Sequence, residues 1–184
     1  IAADAEKVYD GTPLTKADGV TWEGLPAGFT VEASSTGSQT NAGESANVVN
    51  DGYVIYDANN VDQTANFTNV TKEPGTLTVT KAPVTIKTGS AEKEYDGTAL
   101  TKDEASISGL VNGETATVTA TGSQTEVGES ANSYSIDWGT TDSKNYAISE
   151  ELGTLTVTTN ATAAVKLIAA DAEKVYDGTP LTKA

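Results

Sequence analysis

The chain contains no cysteine, no methionine, no histidine and no arginine. Without a thiol there is no disulfide, no thiolate nucleophile and no cysteine-ligated zinc. Without an imidazole there is no His general base, no Ser/His/Asp triad and no His-ligated metal. Positive charge is scarce too. Eleven basic residues face 26 acidic ones, for a net charge of −15 and a pI near 4.1, a balance that repels phosphate backbones and anionic membrane surfaces. A nucleic-acid partner is not expected. No apolar run approaches the roughly 20 residues a spanning helix needs, and no charged-then-apolar leader opens the sequence, so no direct membrane insertion is expected. What is present is 37% hydrophobic residues with 17 glycines, enough for a folded core, and threonine 30 times. The lack of Cys fits an exported bacterial protein that avoids free thiols.

The chain repeats itself, which bears on the fold before any motif does. Ile1 to Ala17 (IAADAEKVYDGTPLTKA) returns unchanged as Ile168 to Ala184, a period of 167. The expectation is one full repeat plus the start of the next copy, cut from a tandem array. Inside the period lies a diverged duplication. AEKVYDGT at Ala5–Thr12 answers AEKEYDGT at Ala91–Thr98, TGSQT at Thr36 answers Thr121, GESAN at Gly43 answers Gly128, and GTLTVT at Gly75 answers Gly153. The offset drifts from 86 to 85 to 78, placing the length changes in loops, one of them around Asp57 to Asn60. Val84-Thr85-Ile86-Lys87 also aligns with Val165-Lys166-Leu167-Ile168, each at the same distance from a YDGT motif. Three segments follow: 1–81, a first module lacking its opening strand; 82–162, a second module; and 163–184, the first strand and YDGT turn of the next copy. Ala164 to Ile168 is predicted to be able to fill the open edge of residues 1–81, in a neighbouring molecule or along a continuous array.

Apolar residues alternate with period two, the strand signature. Ala116, Val118 and Ala120 face away from Thr115, Thr117, Thr119 and Thr121, and Leu77/Val79 and Leu155/Val157 alternate with threonines. The threonine-bearing sides are expected to stay wet. Asn112-Gly113 is a type I′ hairpin signal, with Ala27-Gly28 in the same place of the first module, and each Asp-Gly of the YDGT motifs suits a tight turn. No 3.6-residue stripe runs for ten residues, so long helices are excluded and only short turns near Asp103–Ala105 or Gln63–Asn66 remain. The fold class expected is all-β: two tandem small antiparallel sandwich-like modules of five to seven strands forming an elongated rod, with β-grasp-like modules as the alternative.

Several constellations could carry chemistry, and each has a plainer reading. Asp10 and Asp96 of the YDGT motifs could be calcium or glycan ligands, but a Tyr anchor followed by an Asp-Gly turn explains them as architecture. Asp57, Asn59, Asn60 and Asp62 form an oxygen-rich loop of a kind that Ca2+ accepts, without the Gly and distal Glu of an EF-hand. Lys7 with Asn66, and Lys93 with Asn145, are the candidate pairs for an isopeptide cross-link, which needs a buried Lys beside an acid. Trp138, Tyr56 and Tyr134 are the aromatics that could stack on a sugar, against core or rim packing as the alternative, while Trp22 aligns with Ile107 and is expected in the core. Three sequons, at Asn66, Asn69 and Asn160, matter only where a host modifies them. Paired carboxylates suffice for glycosidases, but such sites sit in a deep cleft that two small modules do not offer, so no enzyme and no catalytic residue is expected.

The opening VTIK strand, SAEKEYDGTALT, SGLVNGETATVTATGS, VGESAN and NYAISEELGTLTVT together resemble the MBG-type repeats of bacterial surface adhesins and the related YDGT-bearing repeats of large Gram-positive wall proteins. The resemblance covers both modules. It implies an extracellular, cell-surface stalk or adhesin repeat, and it supplies no catalytic residues. The first functional expectation is a mechanical spacer in which short joints at Lys81-Ala82-Pro83 and Thr159–Ala164 limit bending. The other is direct binding of a host glycan or protein through exposed aromatics.

Overall fold

The computed structural model describes residues 1–111 and 113–182. Asn112 of the hairpin signal lies outside the described residues, as do 183–184 of the third segment. Among the described residues, fourteen strands and two short 3-10 turns make up the regular structure. In residues 1–80 these are β1 (Ala5–Val8), β2 (Thr30–Glu32), β3 (Ser35–Thr36), β4 (Gly43–Val49), β5 (Val54–Tyr56) and β6 (Gly75–Thr80). In residues 82–158 they are β7 (Ala82–Thr88), β8 (Ala91–Glu94), β9 (Ala105–Ser108), β10 (Thr117–Ala120), β11 (Gly128–Ala131), β12 (Tyr134–Asp137), β13 (Tyr146–Glu151) and β14 (Thr154–Thr158). The helical turns are Thr64–Asn66, inside a stretch the sequence left open to one, and Ser143–Asn145; at Asp103–Ala105 the chain instead enters β9.

The duplication read in the sequence becomes a duplicated sheet. The GTLTVT strand is central each time: β6 pairs parallel with β1 and antiparallel with β4, and β14 pairs parallel with β8 and antiparallel with β11. Even the register repeats, since Ala5 faces Leu77 as Ala91 faces Leu155, and Gly43 faces Val79 as Gly128 faces Val157. Leu77, Val79, Leu155 and Val157 point inward with at most 2% exposure, while the threonines between them are exposed or half-buried. Burying each such side chain contributes about 1.5–3 kcal/mol. All-β is therefore the observed class, but the pairing is mixed rather than antiparallel. The strand that opens each half returns beside the strand that closes it, and two chain segments running the same way must pair in parallel. The β-grasp alternative fails on its helix, since only the two 3-10 turns occur among the described residues.

The C-terminal half has two further sheets, one with β7 between β13 (parallel) and β9 (antiparallel), the other β10 paired with β12. In the N-terminal half β2 pairs with β5, and the three-stranded sheet has no counterpart among the described residues. The stretches that align with β9 and β13, residues 20–23 and 68–73, are not strands there. Between them lies a groove with a cavity volume of about 220 Å³. Trp22 lines this groove and is 45% exposed, which corrects its expected core position: no strand covers it as β7 covers Ile107.

Among the described residues no strand ladder crosses Lys81, yet the two halves do not have wholly separate interiors. Tyr9 and Val79 from one side and Ala82, Val84 and Tyr146 from the other form a single buried cluster, joined by half-buried Leu14 and Trp138. The joint between the two halves is therefore packed through shared apolar side chains. Ala82 and Pro83, expected as linker, are already part of β7, so Lys81 alone separates β6 from β7.

Candidate functional site

Three copies of Lys-x-Tyr-Asp-Gly-Thr fold into the same local clamp. The ammonium of Lys7, Lys93 and Lys174 lies 2.7 Å from the carboxylate of Asp10, Asp96 and Asp177, respectively. That carboxylate also accepts from the backbone N–H, at 2.9 Å, and from the hydroxyl of the following Thr. The intervening glycines have φ between 76° and 81°, a region that other residues enter only with strain. Hydrogen bonding from the lysine, then from the threonine, holds Asp10 and Asp177 at about 2, below the usual carboxylate range, and Asp96 is lowered in the same way. The third copy forms its clamp although its surroundings are exposed, so the motif encodes the turn locally.

What differs between copies is the tyrosine. Tyr95 is 36% exposed, whereas Tyr9 is 6% exposed and sits in the joint. Its ring meets Tyr146 edge-on at 5.7 Å, and Tyr146 stacks on Trp138 at 5.7 Å with an interplanar angle of 17°. Both tyrosine hydroxyls donate to one carboxylate: Tyr9 to Glu114 Oε1 at 2.5 Å and Tyr146 to Oε2 at 2.6 Å. The Val111 N–H donates to the Tyr146 oxygen at 3.2 Å. The bond to Glu114, with burial second, pushes the Tyr9 hydroxyl up to about 12, and Tyr146 is raised chiefly by burial. A second contact flanks the first. Asn145, 1% exposed, accepts from the Ala42 N–H at 2.8 Å and donates to Asn41 Oδ1 at 3.2 Å. The arrangement locks one half of the chain against the other at two points.

The residues singled out in the sequence are not gathered into one site. Trp138 is half-buried with one face on Tyr146, Tyr134 donates to Glu150 at 2.6 Å, and Tyr56, in the other half, donates to Glu32 at 3.4 Å. In the oxygen-rich loop Asp57 accepts from the N–H groups of Asn59 and Val61 and from the Gln63 amide, and Asp62 accepts from Thr64 N–H. Asn60 takes a φ of 60° to close that turn. Asp57 is lowered first by the Val61 N–H and Asp62 first by the Thr64 hydroxyl and then its N–H, and no group of three or more His, Cys, Asp or Glu side chains is placed to hold a metal ion among the described residues. The isopeptide pairs are not brought together by any hydrogen bond among the described residues. Lys7 and Lys93 spend their ammonium groups on their own clamps, Asn66 donates to Gln63, and Asn145 serves the joint.

Sequence reasoning gave no role to the asparagine of GESAN, nor to Glu114. Asn47 and Asn132 are fully buried. Asn132 donates to the carbonyls of Gly89 (2.9 Å) and Lys102 (2.8 Å), and Asn47 to those of Ala3 (2.9 Å) and Lys16 (2.8 Å). Each amide thus satisfies carbonyls from two chain segments where no ladder does. The signal was the unchanged return of GESAN; for Glu114 there was none, because Phe29 stands at the aligned position.

No curated protein and no solved structure matches this chain. Residues 84–156, from within β7 to within β14 and including Glu114, Trp138 and Tyr146, match the family described as MBG domain (YGX type), the family the sequence resembles.

Proposed function

We propose that the chain is an extracellular spacer of a bacterial surface protein, a non-catalytic stalk whose joints are held by side-chain contacts. MBG domains are modules of surface proteins, which supports a structural role in such a protein. The observation that carries the reading is the joint: one residue, Lys81, between two strands, with Tyr9 bonded to Glu114 and Asn145 to Asn41 and Ala42 on either side. A stalk transmits position only if its units cannot swing freely, and a one-residue link with two polar locks around an apolar cluster restricts that swing. The acidity keeps neighbouring stalks apart. Tyr95 and Val127, which align with Tyr9 and Ala42, are 36% and 51% exposed and supply the same surface for a following unit. Small-angle scattering tests the shape. An elongated particle with a radius of gyration well above about 16 Å, the value for a compact chain of this length, is expected, and a compact globule would end the stalk reading.

A further inference from the structure

The groove in the N-terminal half lies where β7 lies in the C-terminal half. Its walls include residues from the stretches 20–23 and 68–73, which align with β9 and β13, the two neighbours of β7. One rung of the absent ladder is already made. The Ile1 terminal ammonium donates to Thr21 O at 2.8 Å, and the Thr21 N–H donates to Ile1 O at 2.9 Å. In the aligned numbering this is the rung Lys87 to Ser106 of β7 and β9. On the opposite wall Ala2 N–H donates to Glu73 O at 2.9 Å. Residues 1 and 2 therefore stand where Lys87 and Thr88 end β7, and the groove continues the same strand path backwards.

The sequence holds a strand that fits this path. Ile168 to Ala184 is identical to Ile1 to Ala17, and Val165-Lys166-Leu167 stands directly before it, aligned with Val84-Thr85-Ile86. In β7 Val84 and Ile86 are buried, at 1% and 0% exposure; Val165 and Leu167 are 81% and 92% exposed here. Carrying the β7 register across puts Leu167 opposite Trp22, as Ile86 faces Ile107, and Lys166 opposite Glu23, as Thr85 faces Ser108. The first pairing covers the exposed indole and the second sets opposite charges across the ladder.

We propose that the groove is the seat of a strand with the sequence Ala163–Leu167 joined directly ahead of Ile1, as the 167-residue period places it in a tandem array, in the register of β7. Val165 and Leu167 fill the cavity while the backbone completes both ladders. Successive copies then join by a shared strand. The joint at Lys81 does not depend on this insertion, so either can fail alone.

The test adds residues 163–167 in front of Ile1 of the full chain and follows hydrogen exchange. Amides of residues 20–23 and 68–73 are expected to slow by about tenfold or more, and the Trp22 indole to move to an apolar environment. The same extension carrying V165D and L167D is expected to give neither effect. Unchanged exchange with the native extension, or equal slowing with the charged one, would overturn the proposal.

Discussion

Replacing Glu114 by Ala removes the one carboxylate that both Tyr9 and Tyr146 use, and leaves two hydroxyls without their acceptor at the edge of a buried cluster. Hydrogen bonds to a charged acceptor contribute about 1.5–3 kcal/mol each. Glu114 is half-buried and reached by solvent, so the lower end applies, and the loss expected is about 2–4 kcal/mol. Tyr9→Phe alone removes one donor and should cost about 1 kcal/mol. A double-mutant cycle of the two, read by urea unfolding of the whole chain, isolates the coupling across the joint, expected at about 1–2 kcal/mol. pH supplies an independent readout. The docked Tyr9 hydroxyl is raised from 10.0 to about 12. The docked state thus holds its proton where the open state has lost it, so the contribution is complete below pH 10 and fades as pH rises towards 12. Glu114→Ala should flatten that alkaline slope. A coupling near zero together with an unchanged slope would refute the idea that this carboxylate ties the halves together.

Three further outcomes follow from the same geometry. Asn132→Ala strips the Gly89 and Lys102 carbonyls of their donor and should cost about 2–4 kcal/mol in urea unfolding, with Asn47→Ala similar in the other half. Gly153→Ala would set a Cβ 2.3 Å from the Gly89 backbone, which cannot move without breaking the β8–β14 pairing, so a loss of about 3 kcal/mol or more is expected in thermal unfolding. A synthetic peptide of residues 168–184 should keep the clamp on its own. Carbon NMR titration should then find Asp177 near 2, below its ordinary 3.8, with the turn intact above pH 3.8 and lost as pH falls through the lowered value; a titration at the ordinary value would show that the turn needs tertiary support.

Much of the fold was legible because it rests on period-two alternation and an internal duplication. The threonine-flanked Leu77, Val79, Leu155 and Val157 placed the central strands, and the repeated AEK, GESAN and GTLTVT segments became one sheet seen twice. Strand direction was not legible, because alternation is the same for parallel and antiparallel neighbours and only the path of the chain decides. The surroundings of the candidate site residues were not legible either. Lys7, Lys93 and Asp57 carry groups that cross-linking or metal binding would use, and in the structure each makes bonds within a few residues, which spacing cannot show. Trp22 illustrates a separate error, an alignment with a core residue whose covering strand is absent in its own half.

The central claim is that the two halves are held in one orientation about Lys81. The chain has no native cysteine, so spin labels at E44C and E129C, both on exposed positions of β4 and β11, attach without background. Pulsed electron resonance should give a single narrow distance distribution that broadens when Glu114→Ala is added. A distribution already broad in the otherwise unaltered chain would contradict the account.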